Sequence, residues 1–172
     1  VWEDKFPYNE RGGVIMGFAL SDMKLTSSAF DHGETIPVRH TGDGADVSPA
    51  LSWSGAPDGT ASFVLICHDP DAPLVSPGNY GFVHWVLYGI PASVSRLTEG
   101  TGDYIQGVNN FGNNGYGGPM PPAGHGLHHY FFWLLALDSA PPLEPGLGMW
   151  DLLGKIEPKV IAMNRLVGTY ER

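Results

Sequence analysis

The chain has 172 residues, 42% of them hydrophobic, a formal net charge of -9 and a single cysteine. A chain of this length can bury one core without staples, and a lone cysteine excludes an internal disulfide and fits a reducing, cytoplasmic setting. Its nine Lys and Arg are scattered, which excludes the clustered basic surface that nucleic acid or an anionic membrane requires.

With 24 Gly and 15 Pro the chain is rich in turn formers, which points to a mainly β fold with ordered loops over a helical bundle. Residues 1–13 read as an irregular, polar arm unlike a signal peptide, at the start of a single domain covering 1–172. No apolar run reaches the length of a membrane span, so no stable insertion is expected.

Val14 to Leu20 is the first apolar run. TIPVRH, Thr35 to His40, predicts a short strand closed by the turn signal TGDG, and SPALSW, Ser48 to Trp53, predicts a second. Ser62 to Cys67 is a continuous β-rich run too short for a helix, hence a buried strand ending at His68. His84 to Pro91 and His128 to Asp138 repeat that pattern. Each of these three strands carries polar residues at one end: Asp69 and Asp71 after the first, His84, His128 and Tyr130 at the start of the others. If the first runs antiparallel to the other two, those ends meet. From Gly148 onward, Val160, Met163 and Leu166 have helical spacing. That spacing predicts two short helices or a restart with Pro158 in the first turn, before an extended Val167 to Tyr170.

DPDAP, Asp69 to Pro73, holds two carboxylates on a backbone whose φ is fixed twice by proline, so their directions are set before a ligand arrives. The plain alternative is a turn. In HHY, strand alternation puts His128 and Tyr130 on one face and His129 on the other. GYGGPMPPAGHGLHHYFFW begins with a Gly/Pro stretch longer than folding needs, which reads as a pocket rim. HGLHH is a weak zinc signal, because Gly124 and Gly126 disfavour the helix that would join His125 to His129. Asp43 and Asp46 fit a turn and do not match a calcium loop. Neither a G-x-S-x-G nucleophile elbow nor a P-loop occurs, and Cys67 in an apolar strand reads as an inert core thiol. No metal or cofactor is expected.

DGADVSPALSW (Asp43 to Trp53), DPDAP, HWVLYGIP and GPMPPAGHGLHHYFFWLLALD (Gly118 to Asp138), with the terminal LVGTYER, resemble in order and spacing the signature blocks of the phosphatidylethanolamine-binding protein family, also called the Raf kinase inhibitor-like family. The match runs from about Phe18 to Arg172, and its insert-free layout resembles the bacterial and archaeal branch. The resemblance implies an antiparallel β-sandwich with short peripheral helices and a small anion-accepting pocket. Carried over residue by residue, that pocket falls on Asp69, Asp71, His84, His128, Tyr130 and a lip including Gly118, Pro119, Pro121 and Pro122, whose backbone N–H groups would face the ligand. Where the family commonly has Arg, this chain has His129, which implies a lost ion pair or anion contact. Leu135 stands where Tyr is frequent.

The function this implies is binding of a small anionic or phosphorylated head-group, phosphoethanolamine-like, with a regulatory role. An ammonium would lie near the Asp pair and no deep acyl tunnel is needed. The alternative is a protein partner: inhibition of a kinase or protease by direct contact. Hydrolysis through Asp69, His84 and His128 ranks third, since no nucleophile is evident. A homodimer is expected from the resemblance, with Trp2, Phe6, Tyr8 and Trp150 as peripheral aromatics.

Overall fold

The computed structural model describes residues 20–73 and 80–172. The arm at 1–13, most of the apolar run from Val14, and the aromatics Trp2, Phe6 and Tyr8 therefore lie outside the described residues. Among the described residues, eight strands form two antiparallel sheets. The smaller contains β1 (Lys24–Ser27), β2 (Leu51–Ser54) and β5 (Arg96–Leu97) in the order β1-β2-β5. The larger contains β3 (Ser62–Asp69), β4 (Phe82–Pro91), β6 (Ile105–Gln106), β7 (His128–Leu137) and β8 (Val160–Tyr170) in the order β6-β4-β3-β7-β8. Among the described residues the one α-helix, α1 (Met149–Ile156), lies outside the sheets. The molecule is mainly β, as expected.

The apolar run of β3 has a simple cause: both faces of its sheet are covered. Phe63, Leu65 and Cys67 point into a cluster with Leu51 and Trp53 of the small sheet and Trp85, Phe132 and Leu134 of the large one. The intervening Val64 and Ile66 join a second cluster with Leu152 and Ile156 of α1. Alternation that would show a wet face is therefore missing. Cys67 is fully buried, and burial followed by nearby Asp69 pushes its thiol well above the usual range, so it stays an inert core group.

Strand β3 is antiparallel to both β4 and β7, so the polar ends do meet. Two local expectations fail. Thr35 makes only a single parallel bridge to Thr169, and Val38–His40 is a 3-10 turn; Pro37 has no N–H with which to extend a ladder. Beyond Pro158, which sits in the first turn of a 3-10 segment (Glu157–Lys159), the chain is strand from Val160 and not helix. Val160, Ile161, Val167 and Thr169 are β-branched, and pairing with the whole of β7 overrides the three-residue spacing that suggested a helix. Among the described residues no helix is long and apolar enough to cross a membrane. Trp150 is 53% exposed on α1.

Candidate functional site

A cavity of about 230 Å3 opens where β3, β4 and β7 bring their polar ends together. Alternation on β3 that sends Phe63, Leu65 and Cys67 inward also sends Asp69 inward, where it is 2% exposed. On β7 the same rule buries His128 and Tyr130 and leaves His129 on the other face. His84 arrives differently. Cys67 pairs with Trp85 and His68 with Val83, so His84 is the extra residue of a β-bulge, and a bulge re-aims a side chain that alternation would send elsewhere. Its ring packs edge-on against Tyr130 at 5.1 Å.

Asp69 is held by three donors. Its Oδ1 accepts the backbone N–H groups of Asp71 (2.8 Å) and Ala72 (3.1 Å), and its Oδ2 faces His128 Nδ1 at 2.7 Å. The other ring nitrogen of His128 lies 2.7 Å from Nδ1 of His125, an exposed residue on the loop before β7. Carboxylate, buried imidazole and surface imidazole thus form one hydrogen-bonded chain from the cavity wall to solvent. His84 uses Nδ1 on the Gly117 carbonyl at 2.6 Å, so its Nε2 is left as an acceptor. Burial lowers its pKa below the ordinary histidine value, against the bond to Gly117 and the proximity of Asp69. Tyr130 is fully buried, yet its hydroxyl has no hydrogen-bond partner. Burial, then Asp69, raises its pKa, which keeps it an O–H donor.

The cavity brings together Asp69, His84, Pro121, Pro122, His128 and Tyr130. Asp71, Gly118 and Pro119 do not line it. Asp71 turns to the opposite face of β7, where its Oδ2 accepts both the backbone N–H and Nδ1 of His129, at 2.8 and 2.7 Å. His129 thus makes an acid–base pair where its replacement of Arg implied a loss. Gly118 donates its N–H to Asp46 Oδ1 at 2.6 Å, and Gly117 donates to the His84 carbonyl at 2.9 Å. In the Gly118–Pro122 lip three prolines have no N–H and the Gly118 amide is spent on Asp46, which leaves Met120 as the lip's remaining amide donor. Gly117 serves another purpose: a Cβ there would lie 2.6 Å from the Phe111 ring. The absence of side chains lets the lip pass close behind that ring.

Sequence reasoning missed Phe82, Phe111 and Met120, which give the cavity a carbon-rich wall. Phe82 and Phe111 pack edge-to-face at 4.7 Å and flank His84. The position of Phe82, two residues before His84 on a strand, was a usable signal. Phe111 carries none, because it comes from a loop between distant strands. His125 was weighed only as a partner of His129, on helical geometry that the loop does not adopt. Among the described residues no three His, Cys, Asp or Glu side chains converge as a metal cage.

Two antiparallel sheets with a small, partly polar cavity at the strand ends define a β-sandwich of the ligand-binding type. Residues 26–171 match the family model described as phosphatidylethanolamine-binding protein. A UPF0098 protein of Aquifex aeolicus is 41% identical over 94% of this chain and 98% of its own length. One from Pyrococcus horikoshii is 42% identical over 93% and 82%. Among solved structures, a phosphatidylethanolamine-binding protein homologue from Chlamydia trachomatis superposes with a TM-score of 0.81 at 38% identity, covering 87% of this chain and 97% of that one. Escherichia coli YbcL, described as a member of the mammalian family, gives 0.79 at 31% identity and covers 88% and 99%. The chain belongs to the phosphatidylethanolamine-binding protein family.

Proposed function

We propose that the cavity binds the head-group of a small acid, phosphate or carboxylate, in a form that still carries one proton. The general ligand-binding or regulatory role that goes with the family supports this reading. The observation that carries it is the Tyr130 hydroxyl, buried and without a partner in the wall of the cavity. A buried donor left unmatched costs about 1–3 kcal/mol, and an acceptor oxygen on a ligand would remove that cost. Opposite charges are scarce: among the described residues no Lys or Arg lines the cavity, and Asp69 does. A bare anion would be repelled by that carboxylate, while His84 Nε2 offers only an acceptor. An acid with one P–OH or C–OH matches both groups, accepting from Tyr130 and donating to His84. Phosphoethanolamine, which the family name brings to mind, has such a head. Any regulation of a protein partner would act through occupancy of this cavity.

Calorimetric titration with inorganic phosphate and with acetate tests the reading on wild type and Tyr130→Phe. Affinity should fall as pH rises and the ligand loses the proton it donates to His84, and Tyr130→Phe should weaken binding by about 1.5–3 kcal/mol. Because the hydroxyl has no partner in the free protein, unfolding stability should be unchanged or slightly higher. Equal affinity in the two proteins removes the basis of the proposal.

A further inference from the structure

Behind the lip lies a second cavity, of about 240 Å3, lined by Asp46, Asn113, Tyr116 and the backbone of Gly117 and Gly118. Two side chains belong to both cavities, Phe111 and Met120. These are 46% and 49% exposed, large apolar groups standing as a saddle between two polar hollows. Their seats are shaped for them: a Cβ on Gly42 would come within 2.9 Å of the Met120 sulfur, and one on Gly117 would strike Phe111.

The two hollows differ in what they offer. The first presents the orphan Tyr130 donor. The second presents acceptors. Asp46 spends Oδ1 on the Gly118 N–H, and Tyr116 donates its hydroxyl to the His40 carbonyl at 2.6 Å, which leaves its oxygen lone pairs. Among the described residues, neither hollow is lined by Lys or Arg. Each alone is smaller than the roughly 300–1,000 Å3 of ordinary small-molecule sites, whereas the two joined across the saddle fall inside that range.

We propose that the two hollows are one bipartite site for an elongated ligand with an acidic head and a cationic tail. The head sits against Tyr130 and His84, the alkyl middle crosses Phe111 and Met120, and a terminal ammonium meets the Asp46 carboxylate. A cation leaving the head cavity also gains from the face of Phe111. Asp46 is then the residue that selects the tail, and Met120 the residue that sets its length. The proposal rests on the head-group reading above.

The experiment is a calorimetric comparison in mildly acidic buffer of two matched series: straight-chain carboxylic acids from acetic to caproic, and the ω-amino acids from glycine to aminocaproic acid. Because Asp46 is exposed, beyond a threshold length the amino series should bind up to about fivefold tighter than its methyl-ended counterparts, the upper value of an exposed charge pair. Asp46→Asn keeps an acceptor for Gly118 and tolerates the positive φ of 54° at this position. It should abolish the gap between the series, and Met120→Ala should move the threshold length. Thermal unfolding of both variants confirms folded protein. Carboxylic acids that bind with no amino preference overturn the bipartite site and leave the head-group reading intact, as does a preference that survives Asp46→Asn. Failure of both series and of inorganic phosphate to bind wild type overturns both.

Discussion

Two acid–base pairs join aspartates two residues apart to adjacent histidines, and share one hydrogen-bond length. Asp69 meets His128 at 2.7 Å with side chains 3% and 2% exposed; Asp71 meets His129 at 2.7 Å with side chains 41% and 45% exposed. Strand alternation places the two histidines on opposite faces of β7, and the turn after Asp69 carries Asp71 to the second of them. Distance does not rank them. A buried pair that loses one partner leaves an uncompensated polar group in a low dielectric, whereas an exposed pair trades its contact for water at little cost. The buried pair is also tied to two backbone amides and to His125, and the exposed one only to the His129 backbone.

The largest expected effect breaks the buried side. Asp69→Ala should cost about 3–5 kcal/mol in urea unfolding, while Asp71→Ala should cost about 1 kcal/mol or less. Equal losses would mean that burial does not separate the pairs.

An intermediate effect comes from His84, buried in the same cavity without a carboxylate partner. Because its folded pKa lies below the ordinary histidine value, the native state binds fewer protons than the unfolded chain between the two values. Its contribution is present above about pH 6.5 and is lost as pH falls toward the lowered value, at up to about 1.4 kcal/mol per pH unit. Unfolding curves of wild type and His84→Gln across that range should differ in slope, with the shallower acid loss in the variant. Identical slopes would show that burial of this ring does not govern its titration.

The smallest effect belongs to the exposed pair. Burial acts to raise the Asp71 pKa, but the hydrogen bonds from the His129 side chain and backbone outweigh it, and the value is lowered. The pair's stability is therefore present above the usual aspartate range and lost as pH drops through the lowered value. A double-mutant cycle of Asp71→Ala and His129→Ala should give a coupling of about 0.2–1 kcal/mol near neutral pH, shrinking in salt. A coupling several times larger would place this pair with the buried one.

Strands β3, β4 and β7 were legible because each is a long apolar run with polar residues at one end; those ends and the resemblance pointed to Asp69, and period-two alternation put His128 and Tyr130 on one face. His84 was placed in the site by resemblance, and only the register shows the bulge that turns it there. Alternation could not assign Asp71, which lies beyond the end of β3 in a turn whose direction is set by its own amide on Asp69. Strand β8 misled because Val160, Met163 and Leu166 satisfy a helical spacing, and a partner strand some thirty residues earlier is invisible to a local pattern. Phe111 and Met120 were illegible for the same reason: a loop side chain acquires its place from a distant backbone, here Gly117 and Gly42.

The central place of β3 between β4 and β7 also has a consequence for synthesis. The hairpin partner β4 leaves the ribosome soon after β3, but His128, which completes the other side, follows Asp69 by 59 residues. At roughly 5–20 residues per second that interval is about 3–12 s. Throughout it a strand buried at seven of its eight residues in the native fold has one open edge, and the nascent chain is at its most vulnerable to pairing with a neighbouring copy on the same messenger. That window closes once β7 has docked on β3.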